Sequence, residues 1–182
     1  MRSLVGQCPN IRLFCHNHRL GQAGCISSGF QIAKGQVVVT MDSDLQIYPE
    51  DIPLLLKKID QGYDLVNGYR AMRQDQLFIC LGSKIFNRIM RKIFSLSIED
   101  ATSNFVAIRK KFLKRLTLFN NDHRYLIAIL KSRGLNKMCE ILVRHRDRKK
   151  GRSKYSFFIK FLTAFPELLR AFIRIKKFSL YA

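Results

Sequence analysis

Hydrophobic positions along this chain fall into short blocks, and the spacing inside the blocks changes between that of strands and that of helices. Residues 11–15 read as a short strand. Residues 23–34 read as a helix entered through a turn at Gly21 and Gly24 and closed by Gly35. The run Gln-Val-Val-Val-Thr-Met at 36–41 is β-branched and uninterrupted, which predicts a strand buried on both faces. Residues 52–59 predict a second helix ending near Gly62, and residues 63–69 a further strand. This alternation, punctuated by glycine, predicts an α/β sheet.

The second half opens with a clear helical stripe: Leu81, Ile85, Phe86, Ile89, Met90, Ile93 and Phe94 recur at helical spacing. Ser83, Lys84, Asn87, Arg88 and Arg91 fall elsewhere on that helix, with Ser83 and Asn87 one turn apart. Residues 122–133 predict a helix and residues 138–143 a strand, followed by a basic segment over 144–154. The last stripe comprises Phe157, Phe158, Phe161, Leu162, Phe165, Leu168, Leu169, Phe172 and Ile173, with Lys160, Glu167, Arg170 and Arg174 outside it. It predicts an amphipathic helix bent at Pro166. No repeat, low-complexity block or flexible linker divides the chain.

Composition sharpens this picture mainly through charge. A length of 182 residues fits one domain with an appendage, and 47% hydrophobic with 25% charged residues permits a normal core. The net charge of +20 exceeds what solubility requires, so an anionic partner is expected: nucleic acid, a phosphorylated substrate, or an acidic membrane surface. The cysteines, Cys8, Cys15, Cys25, Cys80 and Cys139, are odd in number and form no C-x-x-C pair, which fits a reducing environment. No secretory signal is expected, nor any segment long and apolar enough to span a bilayer.

Candidate chemistry starts at Asp42 and Asp44, directly after the β-branched run. In an open α/β sheet, ligands bind at the ends where strands run out. Two carboxylates one residue apart suit a hard cation that bridges to substrate phosphates. The same D-x-D is equally an acidic turn or a helix cap. The basic segment 144–154 is, on its own, a solvated loop or a nucleic-acid patch. His16, His18, His123 and His145 show no paired metal-ligand spacing and read as surface or loop histidines.

The order of motifs adds what single motifs lack. TMDSDLQIYPEDIP (40–53) is followed by QGYDLVNGYR (61–70), RQDQ, SKIFNRIMRKI, EDATSNFVAIRK and GRSKYSFF. Together they resemble family 2 glycosyltransferases of the polyprenyl-phosphate sugar transferase type, of which dolichyl-phosphate mannosyltransferase and its bacterial undecaprenyl-phosphate relatives are members. The resemblance implies a GT-A fold: a Rossmann-like, mostly parallel sheet flanked by helices, with a C-terminal amphipathic helix. It implies inverting transfer of a hexose, of mannose or glucose type, from a GDP- or UDP-sugar to a polyprenyl or dolichyl phosphate, assisted by Mg²⁺ or Mn²⁺. By the same resemblance Asp42 and Asp44 hold the metal and donor diphosphate, with Gln46, Arg148 and Lys154 also at the donor. Arg70, Arg73, Ser83, Asn87, Arg88 and Ser153 match the acceptor phosphate site. Asp100 joins Asp42, Asp44 and Arg70 in the catalytic group.

Elementary chemistry agrees with these roles. An acceptor phosphate is already ionised at neutral pH, so the reaction needs two anions brought together and a leaving diphosphate neutralised more than it needs a strong base. Asp100 therefore reads as an orienting or electrostatic element. Two departures stand out. Asn104 replaces a glycine of the family's T-S-G-F stretch. The family's first strands, with their V-P-x-x-N-E and D-D-x-S blocks, have no counterpart, so an N-terminally incomplete catalytic domain is expected over 1–155. Residues 156–182 are expected to form a membrane-interface helix at the cytoplasmic face of a membrane. The rival reading is a basic nucleic-acid-binding module, disfavoured by the absence of any nucleic-acid motif.

Overall fold

A computed structural model describes residues 7–70, 77–146 and 166–176. Its elements in chain order are α1 (Gly21–Ile32), β1 (Val37–Thr40), a 3₁₀ turn (Pro49–Asp51) running into α2 (Ile52–Asp60), β2 (Leu65–Tyr69) and α3 (Leu77–Phe94). Then come β3 (Val106–Arg109), 3₁₀ turns at Lys110–Leu113 and Asp122–Tyr125, α4 (Leu126–Ser132) and β4 (Met138–Leu142). Residues 166–176 form a last helix, α5. The predicted elements are thus present among the described residues, except that residues 11–15 form no strand and stay exposed, and that Gly24 lies inside α1 rather than in a turn before it; residues 157–165 of the last predicted helix lie outside the described residues. A strand needs a hydrogen-bonding partner, and none is paired with them among the described residues.

The four strands lie in the order β1-β3-β2-β4. β3 pairs antiparallel with β1 (Val37↔Arg109 to Thr40↔Val106) and with β2 (Leu65↔Ile108 to Asn67↔Val106). β2 pairs parallel with β4 (Leu65↔Met138 to Tyr69↔Leu142). Three strands therefore share a direction, but only one pairing among the described residues is parallel. The expected common direction holds for β1, β2 and β4, while β3 enters the sheet from the edge where the other three end and runs back between β1 and β2.

Alternating side chains of the sheet feed two cores, as the two-residue period of a strand requires. Leu65, Val106 and Ile108 face Ala23 and Phe30 of α1, Met90 of α3, α4, and Leu168, Ala171 and Ile175 of α5. Val66, Phe105, Ala107 and Val143 face Leu55 and Ile59 of α2. β1 is half-buried at all four positions rather than fully buried, because it is the outer strand among those described. Gly68 is in β2 because nothing larger fits: a Cβ there would meet the Phe105 ring at 2.8 Å and Val143 at 3.2 Å.

The helical stripe on α3 divides. Met90 is buried and Phe86 and Phe94 pack against the core, whereas Ile85, Ile89 and Ile93 are exposed. The helix is rolled so that Asn87, a polar residue, faces inward and is buried. α5 divides in the same way, with Leu168, Ala171 and Ile175 inside and Leu169 and Ile173 exposed. Its position is held by Phe172 against Phe94, Glu167 accepting from Asn121 at 2.7 Å, and Arg174 paired with Asp122. No described helix is long and apolar enough to cross a membrane.

Candidate active site

The strand directions gather chemistry at one edge. β1, β2 and β4 end there and β3 begins there, so the residues just beyond each strand line a common cavity: Asp42, Asp44, Gln46, Ile47, Arg70, Ser103, Asn104, Phe105 and His145. Thr40 Oγ1 donates to Asn104 O at 2.7 Å, tying the end of β1 to the entry of β3.

The acidic wall is preorganised. Asp42 accepts from Gln22 Nε2 on one oxygen and from Asn104 Nδ2 on the other, both at 3.0 Å. Asp44 Oδ1 accepts the backbone N–H of Gln46 at 3.2 Å, closing a turn in which Leu45 adopts a left-handed φ of 64°. A side-chain-bearing residue takes that conformation at a cost, here offset by the turn. A carboxylate offers about four lone-pair sites, so Asp42 keeps acceptor capacity beyond its two amide bonds. Among the described residues no three His, Cys, Asp or Glu side chains gather to enclose an ion. Two carboxylates completed by substrate phosphate oxygens is the arrangement Mg²⁺ and Mn²⁺ accept, so the donor set fits a divalent cation shared with a substrate.

The basic wall is Arg70. Its guanidinium grips Asp100 bidentately, Nε to Oδ2 at 2.7 Å and Nη2 to Oδ1 at 3.0 Å. Asp100 is buried and also accepts from Thr102 Oγ1 at 3.2 Å and Asn87 Nδ2 at 3.4 Å. Arg70 is thereby held fixed in the cavity wall by its Nε–Nη2 edge, which leaves its remaining guanidinium N–H groups for a phosphate. Tyr69, next to it, has its phenol pushed up by burial and by the negative charges of Glu99, Glu140 and Asp100.

A third set of contacts joins the acidic loop to the segment after β4. Arg146 N donates to Gln46 O at 2.8 Å, and Ile47 bridges His145. Buried Asp51 accepts from Arg144 N at 2.9 Å and Nη2 at 2.6 Å, which raises the Arg144 guanidinium above its ordinary value. Arg144 and Arg146 lie over the Tyr48 ring at 4.5 and 3.8 Å. The start of the basic segment is thus fastened to the acidic loop.

The structure brings Asp42, Asp44, Gln46 and Arg70 together in the cavity wall, with Asp100 and Asn87 behind Arg70. Arg88 is exposed on α3 and is not part of that wall. Ser83 lies one turn before Asn87 on α3, its side chain outside the description, and Arg73, Arg148, Ser153 and Lys154 lie outside the described residues. Sequence reasoning missed His145, which lines the cavity, and the amides of Gln22 and Asn104. Asn104 shows no left-handed φ, so the replaced glycine leaves no strained turn; its side chain instead reaches Asp42.

The profile of glycosyl transferase family 2 matches residues 1–117. The undecaprenyl-phosphate 4-deoxy-4-formamido-L-arabinose transferase of Pectobacterium carotovorum subsp. carotovorum is 40% identical over 153 residues, covering 84% of this chain and 46% of its own length. The protein of that name from Klebsiella pneumoniae (strain 342) is 36% identical over 141 residues, covering 78% and 43%. The chain spans about half the length of the curated relatives it matches. These relatives are named for an arabinose derivative, so likeness to mannosyltransferases in specificity is not what they carry. Among solved structures, glucosyl-3-phosphoglycerate synthase from Mycobacterium tuberculosis with UDP superimposes with a TM-score of 0.55 at 20% identity, covering 75% of this chain and 49% of that one. The same enzyme with Mn²⁺, UDP-glucose and glycerol 3-phosphate gives 0.54 at 18% identity, covering 85% and 54%. The fold is that of the GT-A glycosyltransferases.

Proposed function

The chain belongs to glycosyl transferase family 2, and from that premise we propose that it transfers a sugar from a nucleotide-diphosphate donor to a polyprenyl phosphate at the edge holding Asp42, Asp44 and Arg70. The observation that carries this reading is the convergence of two carboxylates and a bidentately held arginine on one cavity. The names of the relatives support the acceptor class, and the UDP-glucose complex of the structural neighbour supports the donor class.

When bound, Mg²⁺ or Mn²⁺ neutralises the departing diphosphate. Asp42 and Asp44 would hold it, with Gln46 beside them. Arg70 orients the acceptor phosphate, whose ionised oxygen attacks the sugar from the face opposite the leaving group and inverts it. Asp100 occupies the Nε–Nη2 edge of Arg70 and so fixes the guanidinium whose remaining N–H groups meet that phosphate. Asn87, Ser83, Arg73 and Ser153 complete the acceptor site, and Arg148 and Lys154 the donor site.

The finer reading is a hexose donor with GDP or UDP, at the cytoplasmic face of a membrane. Exposed Ile85, Ile89 and Ile93 on α3 and Leu169 and Ile173 on α5, flanked by exposed Lys84, Arg88, Lys92 and Arg170, support contact with an acidic leaflet. The positive charge then serves two phosphate-bearing substrates and a lipid surface rather than nucleic acid. The test supplies labelled UDP-glucose, GDP-mannose or nucleotide-linked 4-deoxy-4-formamido-L-arabinose with polyprenyl phosphate in anionic vesicles. Expected is an organic-phase sugar phospholipid from one donor; label in none of them would contradict the proposal.

A further inference from the structure

Glu140 on β4 does not line the cavity, yet its carboxylate is held by several donors. Oε1 accepts from Asn67 Nδ2 and from the backbone N–H of Asp100, both at 2.8 Å, and Oε2 accepts the backbone N–H of Glu99 at 2.6 Å. Asn67 and Glu140 are register partners on adjacent parallel strands, which brings their side chains together. Asn67 is wholly buried, and its Nδ2 also donates to Asp100 O at 2.9 Å. The Glu140–Asn67 pair therefore fixes both the N–H and the C=O of Asp100. What remains to that residue is the direction of its carboxylate, and that points into the Arg70 fork.

We propose that Glu140 is a positioning residue for Arg70, acting through the backbone of residues 99–100. The chemistry is specific to a carboxylate. Each group facing Glu140 is a donor, so only an acceptor-only side chain satisfies them all. A glutamine of the same shape would turn an NH₂ toward one of these N–H groups. Two further acids, Glu99 and Asp100, already crowd this point, so a third negative charge is tolerated only because these donors and Arg70 offset it. If the role were merely to fill space, the neutral isostere would serve as well.

The test uses the ¹⁵N-labelled full chain and reads hydrogen exchange of the Arg70 Nε–H, with the Arg109 Nε–H as internal control. Arg109 donates to Tyr63 O at 3.1 Å in the same sheet and makes no contact with the Glu140 network. Glu140→Gln is expected to accelerate exchange at Arg70 by about tenfold while leaving Arg109 unchanged. Glu140→Asp, which keeps the charge but draws it back by one methylene, gives a smaller acceleration and covers the case in which the glutamine variant does not fold. Unchanged exchange at Arg70 overturns the assignment, and so does equal acceleration at Arg109, which would mean general loosening. A kinetic arm rests on the transferase reading: Glu140→Gln lowers kcat with the donor KM unchanged. A wild-type chain with no transfer activity would remove that reading and leave the exchange result standing.

Discussion

Replacing Asp100 by Asn removes one charge from the Arg70 fork while keeping the shape of the side chain. Retained as an acceptor, Oδ1 keeps its bonds from Asn87, Thr102 and Arg70 Nη2, but the new NH₂ confronts the Arg70 Nε–H that now lies 2.7 Å from Oδ2. The side chains of Arg70 and Asp100 are only 14% and 5% exposed, so solvent cannot replace the lost partner. Breaking a buried pair from one side costs about 3–5 kcal/mol, and losing one hydrogen bond to a charged group about 1.5–3 kcal/mol. The neutral amide retains part of the fork, so the overlap of the two ranges, about 3 kcal/mol, is the expected loss. For a chain of this length that lowers Tm by roughly 6–12 °C. The control is Glu99→Gln, which touches the pair between Arg91 and Glu99, 3.7 Å apart with side chains 45% and 61% exposed. A surface pair of that kind contributes at most about 1 kcal/mol. Urea melts followed by circular dichroism compare the three proteins. If Asp100→Asn costs no more than Glu99→Gln, the clamp is not held as described.

Other predictions follow from single contacts. Asn104→Gly frees one oxygen of Asp42 from its amide and tightens Mn²⁺ binding by roughly fivefold, the worth of one modest hydrogen bond, as measured by electron paramagnetic resonance of free Mn²⁺; unchanged affinity would show that the amide and the cation do not compete. Gly68→Ala drives a methyl into Phe105 and Val143 and costs about 1–3 kcal/mol in thermal melts. His123 is held below its ordinary 6.5 by burial and by Arg124, so the folded state resists the proton that the unfolded state accepts. Stability is fully present above pH 6.5 and is lost as pH falls below it, and His123→Gln flattens that loss between pH 7 and pH 5.

How much of this was legible in the sequence depends on the range of the interaction. Asp42, Asp44 and Arg70 could be placed because each directly follows a strand whose own residues mark it: Val37 to Thr40 by β-branching, and Leu65 to Tyr69 by position after a Gly-closed helix. Which strands would adjoin was not legible. The reversed β3 depends on pairings with residues of β1 that are 66–72 positions away and on the crossover to β4, and these bring Asn104 and His145 to the cavity. Glu140 was invisible for the same reason, since its donors are 40, 41 and 73 residues away. Periodicity located α3 correctly but not its roll. Seven apolar positions make a stripe wider than the core covers, and buried Asn87, drawn inward by Asp100, decides which edge stays outside.

The most direct test of the whole account is the initial rate of sugar transfer to polyprenyl phosphate with Mn²⁺ or Mg²⁺, compared between wild type and Asp44→Ala. Expected is a rate that disappears on chelation and falls by about a hundredfold or more in Asp44→Ala, the scale of removing one electrostatic element from a preorganised site. Transfer that proceeds equally in both proteins, or equally with and without the cation, would contradict it.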